Sequence, residues 1–125
     1  MIQRSENMRN IKSKLVLVVR KDLNMSIGKT VAQTTHAIMR NPDLKPYDGL
    51  IDSGHVCITC SVKSEQKLYN LAERAKEVGI PCYIQVDSGR TEVAPQTPTV
   101  MALGPAHTQR DIEILNKLTK KLQLL

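Results

Sequence analysis

Two short polar clusters hold the residue types that can do chemistry. Asp87-Ser88-Gly89-Arg90-Thr91 sets a carboxylate, a guanidinium and a hydroxyl around a glycine turn. Gly28-Lys29-Thr30, followed by Gln33 and His36, sets an ammonium, an amide and an imidazole along one short stretch. An acid, cations and hydrogen-bonding groups in this mix suit a substrate that carries phosphate or develops negative charge as it reacts. Singly, each residue has a plainer use. Asp87 can cap a turn, Arg90 can be a surface partner, Thr91 and Thr99 can be ordinary strand residues, and His36 can be a hydrogen-bonded structural histidine. Lys29 can reach into water or pair with Asp22 or Asp87. Placement is what argues for a site.

Each cluster follows an apolar run. Lys14 to Arg20 reads KLVLVVR, the signature of a strand covered on both faces and therefore central. Cys82 to Val86 is a second such run and leads directly into Asp87. Open α/β sheets build their sites just beyond strand ends of this kind. Ser26 to Arg40 is expected to be a helix ended by Asn41-Pro42, with Val31, Thr35, Ile38 and Met39 toward the core. On another stripe Lys29, Gln33 and His36 recur at i, i+4 and i+7 and share one face. In the first helical turn a cation costs about 0.3 to 1 kcal/mol against the backbone dipole. A bound anion at the helix start would offset that cost.

The remaining elements follow from caps and periodicity. His55 to Val62 is a strand. Ser64 caps a helix with Leu68, Leu71, Ala72, Ala75 and Val78 on one stripe, and Gly79 with Pro81 ends it. Thr99 to Leu103 is the fourth strand. The segment with Pro95 and Pro98 is too short for a crossover helix, so this strand is expected antiparallel to a neighbour. Thr108, with Asp111 in the capping-box position, opens a last helix that buries Ile112, Leu115, Leu118 and Leu122. The expected architecture is a three-layer α/β/α sandwich around a four-stranded mixed sheet. It forms a single domain over residues 14–125, preceded by a flexible basic leader at 1–13.

Composition narrows the partner. The 125 residues carry a net charge of +6, which favours a polyanion such as nucleic acid, although a charged surface also serves solubility. Arg4, Arg9, Lys12, Lys14, Arg20 and Lys21 face only Glu6 in the first part of the chain. With three Tyr, no Trp and no Phe, there are too few rings to read bases by stacking. Contacts to RNA should therefore go to phosphate, sugar and shape. Cys57 and Cys60 lie three apart on a strand and point to opposite faces, which argues against a shared metal. They and Cys82 are expected to be buried, reduced thiols of a cytoplasmic protein. No stretch approaches the ~20 apolar residues of a membrane span.

Ile27-Gly28-Lys29-Thr30 after a strand is similar to the end of a nucleotide-binding P-loop. That loop needs an earlier glycine where Leu23 stands, so a magnesium-dependent nucleotidase is a weak alternative. A fuller match is to another group. Leu17-Val18-Val19-Arg20, Asp22-Leu23, Met25 to Lys29, Ala32-Gln33 and His36-Ala37 are joined by Asp87 to Thr91, Val93-Ala94-Pro95 and Thr99-Val100. Leu103-Gly104-Pro105 and the closing Leu122 to Leu125 complete the pattern. In this order the chain resembles the type II peptidyl-tRNA hydrolases, from about Lys14 to Leu125. It departs from their pattern at Val31, Ser88, Glu92 and Gln96.

The resemblance implies a four-stranded mixed sheet between helices. It also implies hydrolysis of the ester joining a peptide to the 3′ ribose of tRNA. It carries roles to Lys29, Gln33, Asp87, Thr91 and Thr99, with His36 and Arg90 beside them. Ester hydrolysis itself needs an oriented water, relief of charge on the tetrahedral oxyanion and a proton for the departing oxygen. Asp87, helped by Thr91, suits the water. Lys29 suits the oxyanion or terminal phosphate. Gln33 and Thr99 would hold the ester or 3′ adenosine, Gly89 would shape the turn against the substrate, and Arg20, Lys21 and Arg90 would steer the acceptor stem. An ester has a tolerable leaving group, so no metal, cofactor or covalent nucleophile is expected. A homodimer stays open. The alternative from another class is a non-catalytic RNA- or protein-binding domain on the same scaffold.

Overall fold

A strand that is apolar on both faces has to be covered twice, and β1 (Ser13–Arg20) is. In the computed structural model, which describes residues 11–44, 54–89 and 92–125, its alternate residues enter two different clusters. Val16 and Val18 pack with Leu68, Leu71, Ala75, Ile112 and Leu115, whereas Leu15, Leu17 and Val19 pack with Ala37, Val100 and Ala102. The first set belongs to helices α2 (Glu65–Glu77) and α3 (Gln109–Thr119); in the second, Ala37 comes from α1 (Ile27–Arg40), and Val100 and Ala102 from the strand at Thr97–Ala106.

The sheet is mixed, in the order β3-β4-β1-β2-β5. β2 (His55–Val62) runs parallel to β1, with Arg20 opposite Val62. β4 (Thr97–Ala106) is antiparallel to both β1 and β3 (Cys82–Asp87). The central place of β1 and the reversed sense of the fourth strand agree with expectation. β1, β2 and β3 therefore end at one edge of the sheet, where β4 begins. Both polar clusters follow strands that end there.

Several expectations need correction. The sheet has five strands among the described residues, not four. β5 (Gln123–Leu124) pairs with Cys60 and Ser61 of β2, and two residues are too few to leave a periodic signal. In α1, Val31, Thr35 and Met39 face outward, Met39 at 77% exposure, while Gln33 and Ala37 are the buried positions. Of the four residues assigned to the core, only Ile38 packs against it. A buried glutamine is satisfied here by hydrogen bonds, so the polar stripe turns inward and the apolar one outward. Val78 is likewise exposed at the end of α2. Among the thiols, Cys60 is buried and Cys82 half-buried, but Cys57 is exposed. It sits on the part of β2 beyond the reach of β5.

The helix starts follow the sequence closely. Ser26, Ser64 and Thr108 each accept a hydrogen bond from the backbone N–H three residues on, satisfying a donor that the first turn would leave unpaired.

Candidate active site

The lysine and the aspartate, 58 residues apart, meet at the shared strand edge. Lys29 projects from the first turn of α1 and Asp87 closes β3. Lys29 Nζ donates to Asp87 Oδ1 at 2.6 Å, with side chains only 10% and 5% exposed. Two charges withdrawn from water this far are tolerated only as a pair, and removing one partner of such a pair typically costs about 3 to 5 kcal/mol.

Asp87 is held from several sides. Gln33 Nε2 donates to the same Oδ1 at 3.1 Å, and the Gly89 N–H donates to Oδ2 at 2.6 Å. The carboxyl is therefore held below the usual carboxylate range. The Lys29 hydrogen bond is the largest cause, burial opposes it, and the Gly89 N–H and the charges of Lys29 and His36 assist. With three donors engaged, a carboxylate of about four acceptor positions retains room for a water.

Gln33 is oriented from behind. The fully buried Thr99 hydroxyl donates to Gln33 Oε1 and also lies 3.3 Å from the Gln85 carbonyl. With its carbonyl so engaged, the amide turns its NH2 group toward Asp87. The chain Thr99, Gln33, Asp87, Lys29 thus joins β4, α1 and β3 through side chains alone.

The turn after β3 is tightly built. Gly89 adopts φ +82°, and a Cβ there would stand 2.5 Å from the backbone of Pro95. Only glycine fits. The Gln96 N–H returns to the Asp87 carbonyl at 2.9 Å. Gln96 itself has φ +62°, a conformation that costs a non-glycine residue about 1 to 2 kcal/mol.

One contact had no sequence signal. Glu92 accepts from the Ser26 N–H at 2.8 Å and from the Ser26 hydroxyl, and these two bonds hold its carboxyl below the usual range. The exit of the turn is thereby tied to the same helical turn that Asp87 grips through Lys29. A cap at Ser26 is legible from local sequence. Its partner, 66 residues away, is not.

The other candidates are placed as follows. His36 is half-buried on the inner side of α1. Lys21 is exposed, in a 3-10 turn (Lys21–Leu23). Arg20 is buried and committed: it pairs with Asp22 at 2.6 Å and Glu65 at 3.4 Å and donates to the Pro98 carbonyl at 3.1 Å. It braces the strand edge. Arg90 and Thr91 lie outside the described residues.

Fold and site together define an α/β protein with a buried ammonium–carboxylate pair at the strand edge, an arrangement suited to polarising and hydrating an electrophilic centre. The particular family follows from comparison. The model of the family described as peptidyl-tRNA hydrolase PTH2 matches residues 13–125, so the chain belongs to that family. It is 35% identical over 120 residues to "Peptidyl-tRNA hydrolase" of Methanocaldococcus jannaschii, covering 90% of this chain and 99% of the relative. A Halobacterium salinarum protein of the same name is 38% identical over 96 residues, covering 74% and 86%. "Probable peptidyl-tRNA hydrolase 2" of Dictyostelium discoideum is 37% identical over 117 residues, covering 89% of this chain and 54% of its own length.

Proposed function

We infer that this chain is an enzyme that hydrolyses the ester of peptidyl-tRNA, releasing peptide and free tRNA, and that the Lys29–Asp87 pair performs the reaction. Family membership carries the reaction. The single observation that carries the site is the buried 2.6 Å contact between ammonium and carboxylate at the shared strand edge.

In the resting enzyme Lys29 holds the Asp87 carboxyl low, so at neutral pH it is ionised and a weak base. A substrate carbonyl approaching Lys29 draws the ammonium toward the developing oxyanion. Asp87 then loses its main stabilising partner and becomes a stronger base as the water attacks. The water oxygen bonds to the carbonyl carbon, and Asp87 takes the proton released. Collapse of the tetrahedral intermediate breaks the bond to the ribose oxygen, which takes that proton and leaves. Gln33 and Thr99 keep the carboxylate aimed throughout. Thr91 as a helper of the water, Arg90 and Lys21 as stem contacts, and Gly89 as a surface against the substrate belong to the same proposal. His36 enters through its charge beside Asp87.

The two separate clusters on alternate residues of β1 support a three-layer arrangement within one domain spanning 14–125. The proposed compartment is the cytoplasm, on the strength of a tRNA substrate. Among the described residues no helix is long and apolar enough to cross a membrane. A homodimer completes the proposal, supported by the exposed Ile27, Val31 and Met39 on α1.

The test is hydrolysis of N-acetylated aminoacyl-tRNA against the unblocked ester. Selective release of tRNA from the blocked ester is expected. Equal cleavage of both, or of neither, would contradict the reading.

A further inference from the structure

On the same strand edge, away from the ester site, lies a second feature. A cleft of about 580 Å3 opens between the end of β2, the outer face of α2 and the chain leading into β5. Its walls carry Lys63, Lys67, Arg74 and Lys121, with Asn70 and Gln123 between them and no acidic side chain among the described residues. Lys67, Asn70 and Arg74 recur at i, i+3 and i+7, so α2 turns one face into it.

The charge state of these cations sets them apart. Arg20 and Lys29 are both neutralised by carboxylates. None of the four cleft cations is in an ion pair with a described residue; Arg74 alone has a protein partner there, donating at 3.4 Å to the Leu118 carbonyl. Four like charges around one hollow repel one another, and a concave wall focuses their field. A bound polyanion removes that penalty.

The proposed substrate identifies which polyanion. Across the strand edge the sequence of contacts runs from Asp87 to Thr97, from Pro98 to Arg20, and from Arg20 to Val62, which precedes Lys63. That is three strand spacings of ~4.8 Å, or roughly 14 Å along the strand edge, with the pair on the α1 side of the sheet and the cleft on the α2 side. An RNA whose 3′ end sits at Lys29 and Asp87 would bring its backbone phosphates to this position by passing around the strand edge.

We propose that the cleft lined by Lys63, Lys67, Arg74 and Lys121 is a phosphodiester-binding subsite that holds the tRNA stem while its 3′ ester is cleaved. The proposal rests on the peptidyl-tRNA reading above. It makes recognition a two-point matter: a neutralised pair handles the ester and an unneutralised set handles the backbone. Such contacts are blind to base identity, in keeping with the scarcity of aromatic rings.

The test is a Lys63→Gln, Lys67→Gln, Lys121→Gln triple variant, which leaves Arg74 and its carbonyl contact in place. Affinity for deacylated tRNA is expected to fall about tenfold or more at ~0.1 M salt. The slope of log affinity against log salt should flatten by about 2, from the loss of up to three phosphate contacts at ~0.7 to 0.9 each. The ratio of kcat/KM on N-acetylated aminoacyl-tRNA to that on the same acyl ester of the 3′-terminal trinucleotide should fall by the same factor. An unchanged slope and ratio would overturn the subsite, as would an equal loss on both substrates. Wild-type protein that binds tRNA with the steep slope but cleaves neither ester would overturn the assigned reaction and leave the cleft standing.

Discussion

The two faces of the central sheet are built on different terms. Behind β1, α2 and α3 bury Leu68, Leu71, Ile112 and Leu115 completely in an apolar cluster. In front of it α1 buries Gln33 and Ala37, and its contact with the sheet runs through the Gln33–Thr99 hydrogen bond as well as the small apolar set of Leu15, Leu17, Val19, Val100 and Ala102. One face holds the protein together and the other spends buried volume on a polar network. What the difference teaches is that stability and chemistry are separable here, and each face should fail in its own way.

The largest effect on stability alone falls on the apolar face. Leu115→Ala should cost about 2 to 5 kcal/mol in denaturant unfolding, by lost transfer energy and the cavity left behind. Below its unfolding midpoint the folded fraction should keep kcat/KM within about twofold of wild type. A loss of activity outrunning the loss of folded protein would break the comparison.

On the polar face the two readouts should move together. Thr99→Val keeps the shape but leaves Gln33 Oε1 buried without its donor, at a cost of about 1 to 3 kcal/mol in stability. Because Gln33 then no longer holds its amide toward Asp87, kcat should fall about tenfold with KM little changed. A purely structural threonine would lower stability and leave kcat alone.

The smallest effect is a displacement of pH profiles. In the free enzyme the Asp87 carboxyl is held below its ordinary value of about 3.9, so kcat/KM should fall only as pH drops below that value. If Lys29 is drawn to the substrate in the complex, as proposed, the carboxyl returns toward the ordinary range. The acid limb of kcat should therefore lie at higher pH than that of kcat/KM. Coincident limbs would mean that Lys29 never leaves Asp87. The same depression has a sign for folding: the stability it contributes is present above the unfolded value and is lost as pH falls through the folded one.

What was legible in the sequence divides along the same line. The apolar face was readable because Leu68, Leu71 and Ala75, and then Ile112 and Leu115, repeat with helical period behind Ser64 and Thr108, and burial of such a stripe is what a helix gains most from. The front helix was placed correctly but turned wrongly. Periodicity ranks Val31 and Met39 above Gln33 for the core, and nothing local shows that Thr99, 66 residues on, satisfies the amide. The meeting of Lys29 with Asp87 was foreseeable, since both follow strands of the same sense. The Glu92–Ser26 tie and the two-residue β5 were not, because each depends on a partner that only the folded chain brings near.

The most direct test is a double-mutant cycle on hydrolysis of N-acetylated aminoacyl-tRNA, with Lys29→Ala, Asp87→Ala and both together. If the two act as one unit, each single change should lower kcat/KM about a hundredfold or more, and the double variant should be little worse than either single one. Losses that multiply in the double variant would show two independent groups and contradict the account.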